Sequence, residues 1–147
     1  MTMYATARAA TVRMIVDTME PWKAAADYTD WDAHAEGFKL PSTDLIGLIG
    51  FSCSRNGPFH DLTFGVGIMV LNDPGLGRMT DYVDTFYARL AAHKTFPVFN
   101  ADGTLTDFEI VCFDGTSAAP MSRVDYRPTT EITVSARVTR AGEWPLP

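Results

Sequence analysis

The 147-residue chain is 46% hydrophobic, 12% aromatic and 20% charged, with a formal net charge of −6. That length fits one domain and leaves little room for two, and the apolar share excludes a wholly disordered chain. The acidity argues against the basic surface that nucleic-acid binding ordinarily needs.

No stretch reaches the roughly 18 uncharged apolar residues of a membrane span. Arg13, Asp17 and Glu20 interrupt the apolar run that a secretion signal would require before Ala24-Ala25-Ala26. Synthesis in the cytoplasm is therefore expected. Cys53 and Cys112 are too few for a disulfide framework or a four-thiolate zinc site, and their apolar surroundings predict two buried, reduced thiols.

In chain order, Ala5, Ala9, Val12, Ile15, Val16 and Met19 recur at helical spacing and predict an amphipathic helix over 5–19. Pro21 ends it. Residues 20–43 lack periodicity and read as one irregular loop, unusually long for a compact domain, that mixes acids with Trp22, Tyr28 and Trp31. Residues 44–53 are apolar on both alternating faces, as in a strand covered twice. A turn at Arg55-Asn56-Gly57-Pro58 and a period-two run over 62–70 complete a hairpin.

A second helix is expected over Met79–His93, with Thr80 as its N-cap and Met79, Tyr82, Val83, Phe86 and Leu90 on one stripe. After a short Phe96–Phe99 segment and a turn at Asn100–Gly103, Phe108, Ile110 and Cys112 mark a third strand. A stretch from Arg123 to Arg127 alternates, and Pro128 marks a bulge, break or edge. Ile132, Val134, Ala136 and Val138 then alternate with polar residues in the clearest strand. Residues 141–147 read as a loose tail. The expected fold is α+β, a small mainly antiparallel sheet with two helices packed on one face, in the order α-β-β-α-β-β.

Candidate chemistry is sparse. Gly75-Leu76-Gly77 lies between a strand and a helix, but the third glycine of a dinucleotide motif is replaced by Thr80. Gly50-Phe51-Ser52-Cys53-Ser54 lacks the final glycine of a nucleophile elbow. His34, His60 and His93 have no second histidine or cysteine at ligand spacing, so no metal site is expected. Asp27, Asp30, Asp32 and Glu36 lack the ordered pattern of a calcium loop. Residues 17–44 hold seven acids against two lysines, so five of the six surplus negative charges lie in that segment. Neither a cofactor nor a catalytic constellation is expected.

Four segments together resemble the tail terminator (tail completion) proteins of long-tailed bacteriophages. They are the N-terminal helix Ala5–Met19 with its following loop, and the strand pair flanking Asn56-Gly57. The others are the helix Met79–His93 leading into Phe96-Pro97-Val98-Phe99, and the amphipathic strand Thr129–Val138. The resemblance implies a non-enzymatic virion protein, assembled in the host cytoplasm, that forms a homo-oligomeric ring, typically a hexamer. Such a ring caps the tail tube, ends polymerisation and presents a head-tail joining surface, with the tube protein and a neck or connector protein as partners. DNA passing through an acidic ring would not be read by sequence, and no membrane is implied.

The contact regions expected are loops Ser54–His60, Phe99–Gly103 and Asp114–Met121. The contact residues expected are Trp22, Tyr28, Trp31, Arg55, Phe59, Phe99, Asp102, Arg123 and Arg127. The acidic stretch would face the lumen or meet basic residues such as Arg123, Arg127 and Arg137 of a neighbour. Other readings are a different neck or head-completion subunit and a subunit of a cellular contractile injection system. A further alternative is a ligand-binding domain or enzyme with a cleft near Tyr82 and Phe86.

Overall fold

A computed structural model describes residues 3–33, 41–119, 122–124 and 127–142, the side chains of 122–124 excepted. Among these residues the fold is mixed α+β, with two α-helices and a mainly antiparallel sheet. The helices are α1 (Met3–Met19) and α2 (Gly77–Arg89). The strands are β1 (Ala26–Tyr28), β2 (Asp44–Asn56), β3 (Phe59–Met69), β4 (Thr95–Phe99), β5 (Leu105–Cys112), β6 (Ser117–Ala118), β7 (Ser122–Val124) and β8 (Arg127–Arg140). Neighbours run β1-β2-β3-β8-β5-β4, with β6 and β7 also paired to β8. β1 is the parallel member, Ala26 lying opposite Asp44. Four of these strands, β1, β4, β6 and β7, add to the expected α-β-β-α-β-β order.

The core follows from the pleat. Even-numbered β3 residues Leu62, Phe64, Val66 and Ile68 join Ile46 and Leu48 of β2 and Ile132, Val134, Ala136 and Val138 of β8 in one buried cluster. Met14, Ile15 and Met19 of α1 and Met79, Tyr82 and Phe86 of α2 belong to the same cluster. Burial of this kind, at about 25 cal/mol per Å² of apolar surface, is the main force holding the sheet against the helices.

The opposite face of β2 and β3 is covered too, which the simple alternation in β3 does not predict. Gly47 pairs with Gly67, and Ile49 with Gly65, so glycines cluster on that face. The segment Thr29–Trp31 lies on them. A Cβ on Gly47 would fall 1.4 Å from the Thr29 carbonyl oxygen, and one on Gly67 would fall 2.8 Å from the Trp31 ring. Glycine is needed here because another backbone segment approaches the strands. The Thr29 N–H donates to the Ile46 carbonyl at 3.0 Å, and Trp31 Nε1 donates to the Gly67 carbonyl at 3.0 Å.

Several local expectations are corrected. The stretch 20–43 is not irregular throughout: it holds 3-10 turns at Glu20–Trp22 and Trp31–Ala33 as well as β1, while 34–40 lie outside the described residues. The buried face of α1 is Ala7, Ala10, Thr11, Met14, Ile15 and Met19, whereas Ala5, Ala9 and Val16 are exposed. Thr11 tolerates burial because its hydroxyl donates to the Ala7 carbonyl at 2.8 Å. Helix α2 begins at Gly77 behind Leu76, and it ends at Arg89, short of His93. Thr80 is therefore inside the helix and not its cap. Pro128 does not break the last strand: β8 runs through it, and its carbonyl accepts from the Val70 N–H. Cys112 is buried as expected, but Cys53 is only half-buried. Most of the tail, residues 143–147, lies outside the described residues.

Candidate functional site

Three regions hold the chemistry of the chain. The first is a buried polar hub where β2 begins, β3 ends and α2 begins. Asp44 is 2% exposed. It accepts hydrogen bonds from Tyr82 Oη at 2.6 Å, Arg78 Nε at 3.0 Å and the Leu71 N–H at 2.8 Å. Burial pushes its carboxyl up, but the bonds from Arg78, Tyr82 and Leu71 outweigh that and hold it below the ordinary value. Tyr82 is pushed well up by burial and by the neighbouring carboxylate.

Next to the hub, Asp73 accepts from the Met79 N–H at 2.9 Å and the Arg78 N–H at 3.3 Å. An internal carboxylate thus fills the helix N-terminus behind Gly75-Leu76-Gly77, where an anion would otherwise bind. The hub has the geometry of a structural clasp joining α2 to the sheet.

The second region is the β2–β3 hairpin. Its strands stay paired to Asn56–Phe59, so the expected loop Ser54–His60 is mostly ladder closed by Gly57-Pro58, with Gly57 at φ +59°. The ladder extends this far because Asn56 Nδ2 donates to Asp61 Oδ2 at 2.9 Å across the strands. Residues 54–58, Arg55 among them, are exposed. Near the turn, Arg137 of β8 donates to Asp61 at 2.6 and 3.3 Å and lies over the Phe59 ring, 4.4 Å from its centroid. The bond from Arg137 is the main cause of the lowered Asp61 pKa.

The third region is a cleft of about 590 Å³ between α1, α2 and β4. Met14, Phe96, Pro97 and Phe99 form its apolar wall, and Arg13, Asp17, Arg89 and Lys94 are its charged groups. The Arg13 guanidinium carbon stands 3.6 Å from the Phe99 ring centroid. Arg89 lies over Phe96 and donates to the Thr95 carbonyl at 3.2 Å.

The nine expected contact residues are distributed over four parts of the chain. Trp22 packs edge-on against Tyr82, with ring centroids 4.7 Å apart, and Tyr28 packs against the core cluster. Trp31 lies on the glycines, and Arg55 and Phe59 share the hairpin end. Phe99 carries Arg13, while Asp102 accepts from the Thr104 N–H and hydroxyl in the β4–β5 turn. Arg123 belongs to β7 with its side chain outside the described residues, and Arg127 donates to the Pro41 carbonyl. In the third expected loop, Asp114–Met121, Ser117–Ala118 form β6, and residues 120–121 lie outside the described residues.

The acids of 17–44 also have internal uses. Asp30 pairs with Arg8, Asp32 accepts from the Gly50 and Phe51 N–H groups, and Asp27 accepts from Thr43. Arg137, considered as a neighbour's partner for those acids, is held by Asp61 of its own chain. Among the described residues no group of three or more His, Cys, Asp or Glu is arranged to hold a metal. Tyr82 and Phe86 are buried core residues and are not among those lining the α1–α2–β4 cleft. Sequence reasoning missed the Arg13–Arg89–Lys94 cleft, whose only signal was cations flanking the Phe96–Phe99 aromatics. In comparisons with known proteins, no family model matches the chain and no curated protein matches it.

Proposed function

We propose that this chain is a non-enzymatic bacteriophage virion protein of the tail terminator type. In this reading it assembles in the host cytoplasm into a ring, a hexamer, that caps the tail tube, ends polymerisation and offers the head-tail joining surface to a neck or connector protein. DNA passes through the ring without sequence-specific contact. The observation that carries the proposal is the β2–β3 hairpin, whose paired strands of 13 and 11 residues continue to an exposed tip at 54–58. A ladder flanked by β8 as far as His60 and ending in an exposed turn gives a subunit one surface that can engage a different surface of its neighbour, the contact type that closes into a ring.

The finer architecture proposed with it places both helices over one face of the sheet. Their buried residues support this by sharing one cluster with the even-numbered residues of β3. The opposite face carries Thr29–Trp31.

The test is mass in solution together with negative-stain microscopy of the purified chain, alone and mixed with tail tubes. Rings with a central hole, free or seated on tube ends, are the expected result. A strict monomer at high concentration that leaves tubes uncapped would overturn the reading.

A further inference from the structure

We propose that the cleft between α1, α2 and β4 binds an acidic peptide segment of a partner protein, with carboxylates on Arg13, Arg89 and Lys94 and an apolar side chain against Met14 and Phe99. The inference stands apart from the tail-terminator reading and holds for any assembly this chain joins.

The chain carries a net charge of −6, and among the described residues Arg8, Lys23, Arg78 and Arg137 are each ion-paired to a carboxylate within 4.0 Å. Arg13, Arg89 and Lys94 are in none of these pairs, and all three line one cleft, with Asp17 as its single acid. Concentrating unpaired cations on an acidic protein creates a local attraction for negative groups.

Geometry adds to charge. The Arg13 guanidinium lies over Phe99, and Arg89 lies over Phe96 while bonded to the Thr95 carbonyl, so both guanidinium groups are positioned before any ligand arrives. Oriented guanidinium forks match carboxylates bidentately and lose less freedom on binding than free side chains do.

The wall explains why the occupant is bound by side chains rather than added as a strand. β4 closes its end of the sheet order, so its outer side has no strand partner among the described residues. Pro97 has no N–H to offer, and the Thr95 carbonyl is already taken by Arg89. What remains is an open trough with an apolar wall and a cationic rim, which fits alternating acidic and apolar side chains. A nucleic-acid strand fits less well, because Asp17 and the overall negative charge repel a phosphate backbone.

Calorimetry of the full chain with a synthetic peptide of alternating Glu and Leu tests the proposal. An alternating Gln and Leu peptide and a single-stranded oligonucleotide are the controls. The Glu peptide is expected to bind, to weaken with added salt, and to lose roughly tenfold or more in affinity for Arg13→Gln and for Lys94→Gln. The exposed Arg55→Gln variant should bind like the parent, and thermal melts of every variant establish that each is folded. Absence of binding, equal binding of the Gln peptide, tighter binding of the oligonucleotide, or indifference to both cleft substitutions would each overturn it. Because the readout is peptide affinity, it does not depend on ring formation.

Discussion

Trp31 Nε1 donates a hydrogen bond to the carbonyl of Gly67, and the indole rests where a Cβ on that glycine would stand 2.8 Å away. The bond and the missing side chain are one device: the ring can lie on the strand only because the strand is bare there. Gly47, directly across the ladder, does the same for the Thr29 backbone.

Substitution separates this role from ordinary glycine flexibility. Gly67→Ala should cost about 1–3 kcal/mol, the range for overpacking, and Gly47→Ala more, because its clash is with backbone. Gly77→Ala, at the open start of α2 with nothing near its Cβ position, should be neutral or stabilising by up to about 1 kcal/mol. Chemical denaturation of the three variants checks the ranking.

At the hub, Asp44→Ala should be the most damaging single change, about 3 kcal/mol, because it strips the partner from Tyr82 and Arg78 together. Tyr82→Phe removes one hydroxyl and should cost about 1–2 kcal/mol. The double variant should lose less than the two singles combined. A double-mutant cycle by urea melts measures that coupling.

Acid and alkali should act on identifiable groups. Asp44 and Asp61 both titrate below their ordinary value of 3.8 in the fold. Their stabilisation is complete above that value and is lost as pH falls through the lower folded values, so stability should drop steeply below about pH 4. Asp61→Asn should flatten part of that slope. Tyr82 is shifted upward from 10.0, so its contribution is full below pH 10 and lost as pH rises beyond it. Melting temperature against pH, for the parent and for Tyr82→Phe, reads both limbs.

The two thiols should differ in reactivity. Cys112 is buried and its pKa is pushed by burial up to about 11, so alkylation at pH 8 should need unfolding. Cys53, half-buried and also raised, should react slowly in the native chain. Mass spectrometry of iodoacetamide adducts before and after denaturation should therefore show Cys53 modified first and Cys112 only in denaturant.

What the sequence made legible was local. β8 announces itself through the strict alternation Ile132, Val134, Ala136, Val138, and α2 through Met79, Tyr82, Phe86 and Leu90, because each pattern answers to one buried face. β1 has three residues and a distant parallel partner, so nothing in Ala26–Tyr28 alone announces a strand. Gly65 and Gly67 read as the soft side of an alternating strand, although their role depends on Glu131 and Trp31, far along the chain. The buried stripe of α1 is not legible in its alanines, which look alike on every face, and tertiary contact decides which of them are buried. The cleft was invisible for the same reason: Arg13, Arg89 and Lys94 meet only once α1, α2 and β4 are in place.

β8 pairs along one side with β3, from Met69–Thr129 to His60–Val138. Its other side is covered in turn by β7, β6 and β5. Four strands thus wait on the element that follows all of them in the chain. As the polypeptide leaves the ribosome, the β2–β3 hairpin must hold an unfilled edge until Arg127–Arg140 emerges, while β5 has only β4 beside it and β6 and β7 await their partner strand. Closure of the sheet is therefore tied to the emergence of β8, and a chain halted before residue 127 carries an open sheet edge prone to pairing with other chains.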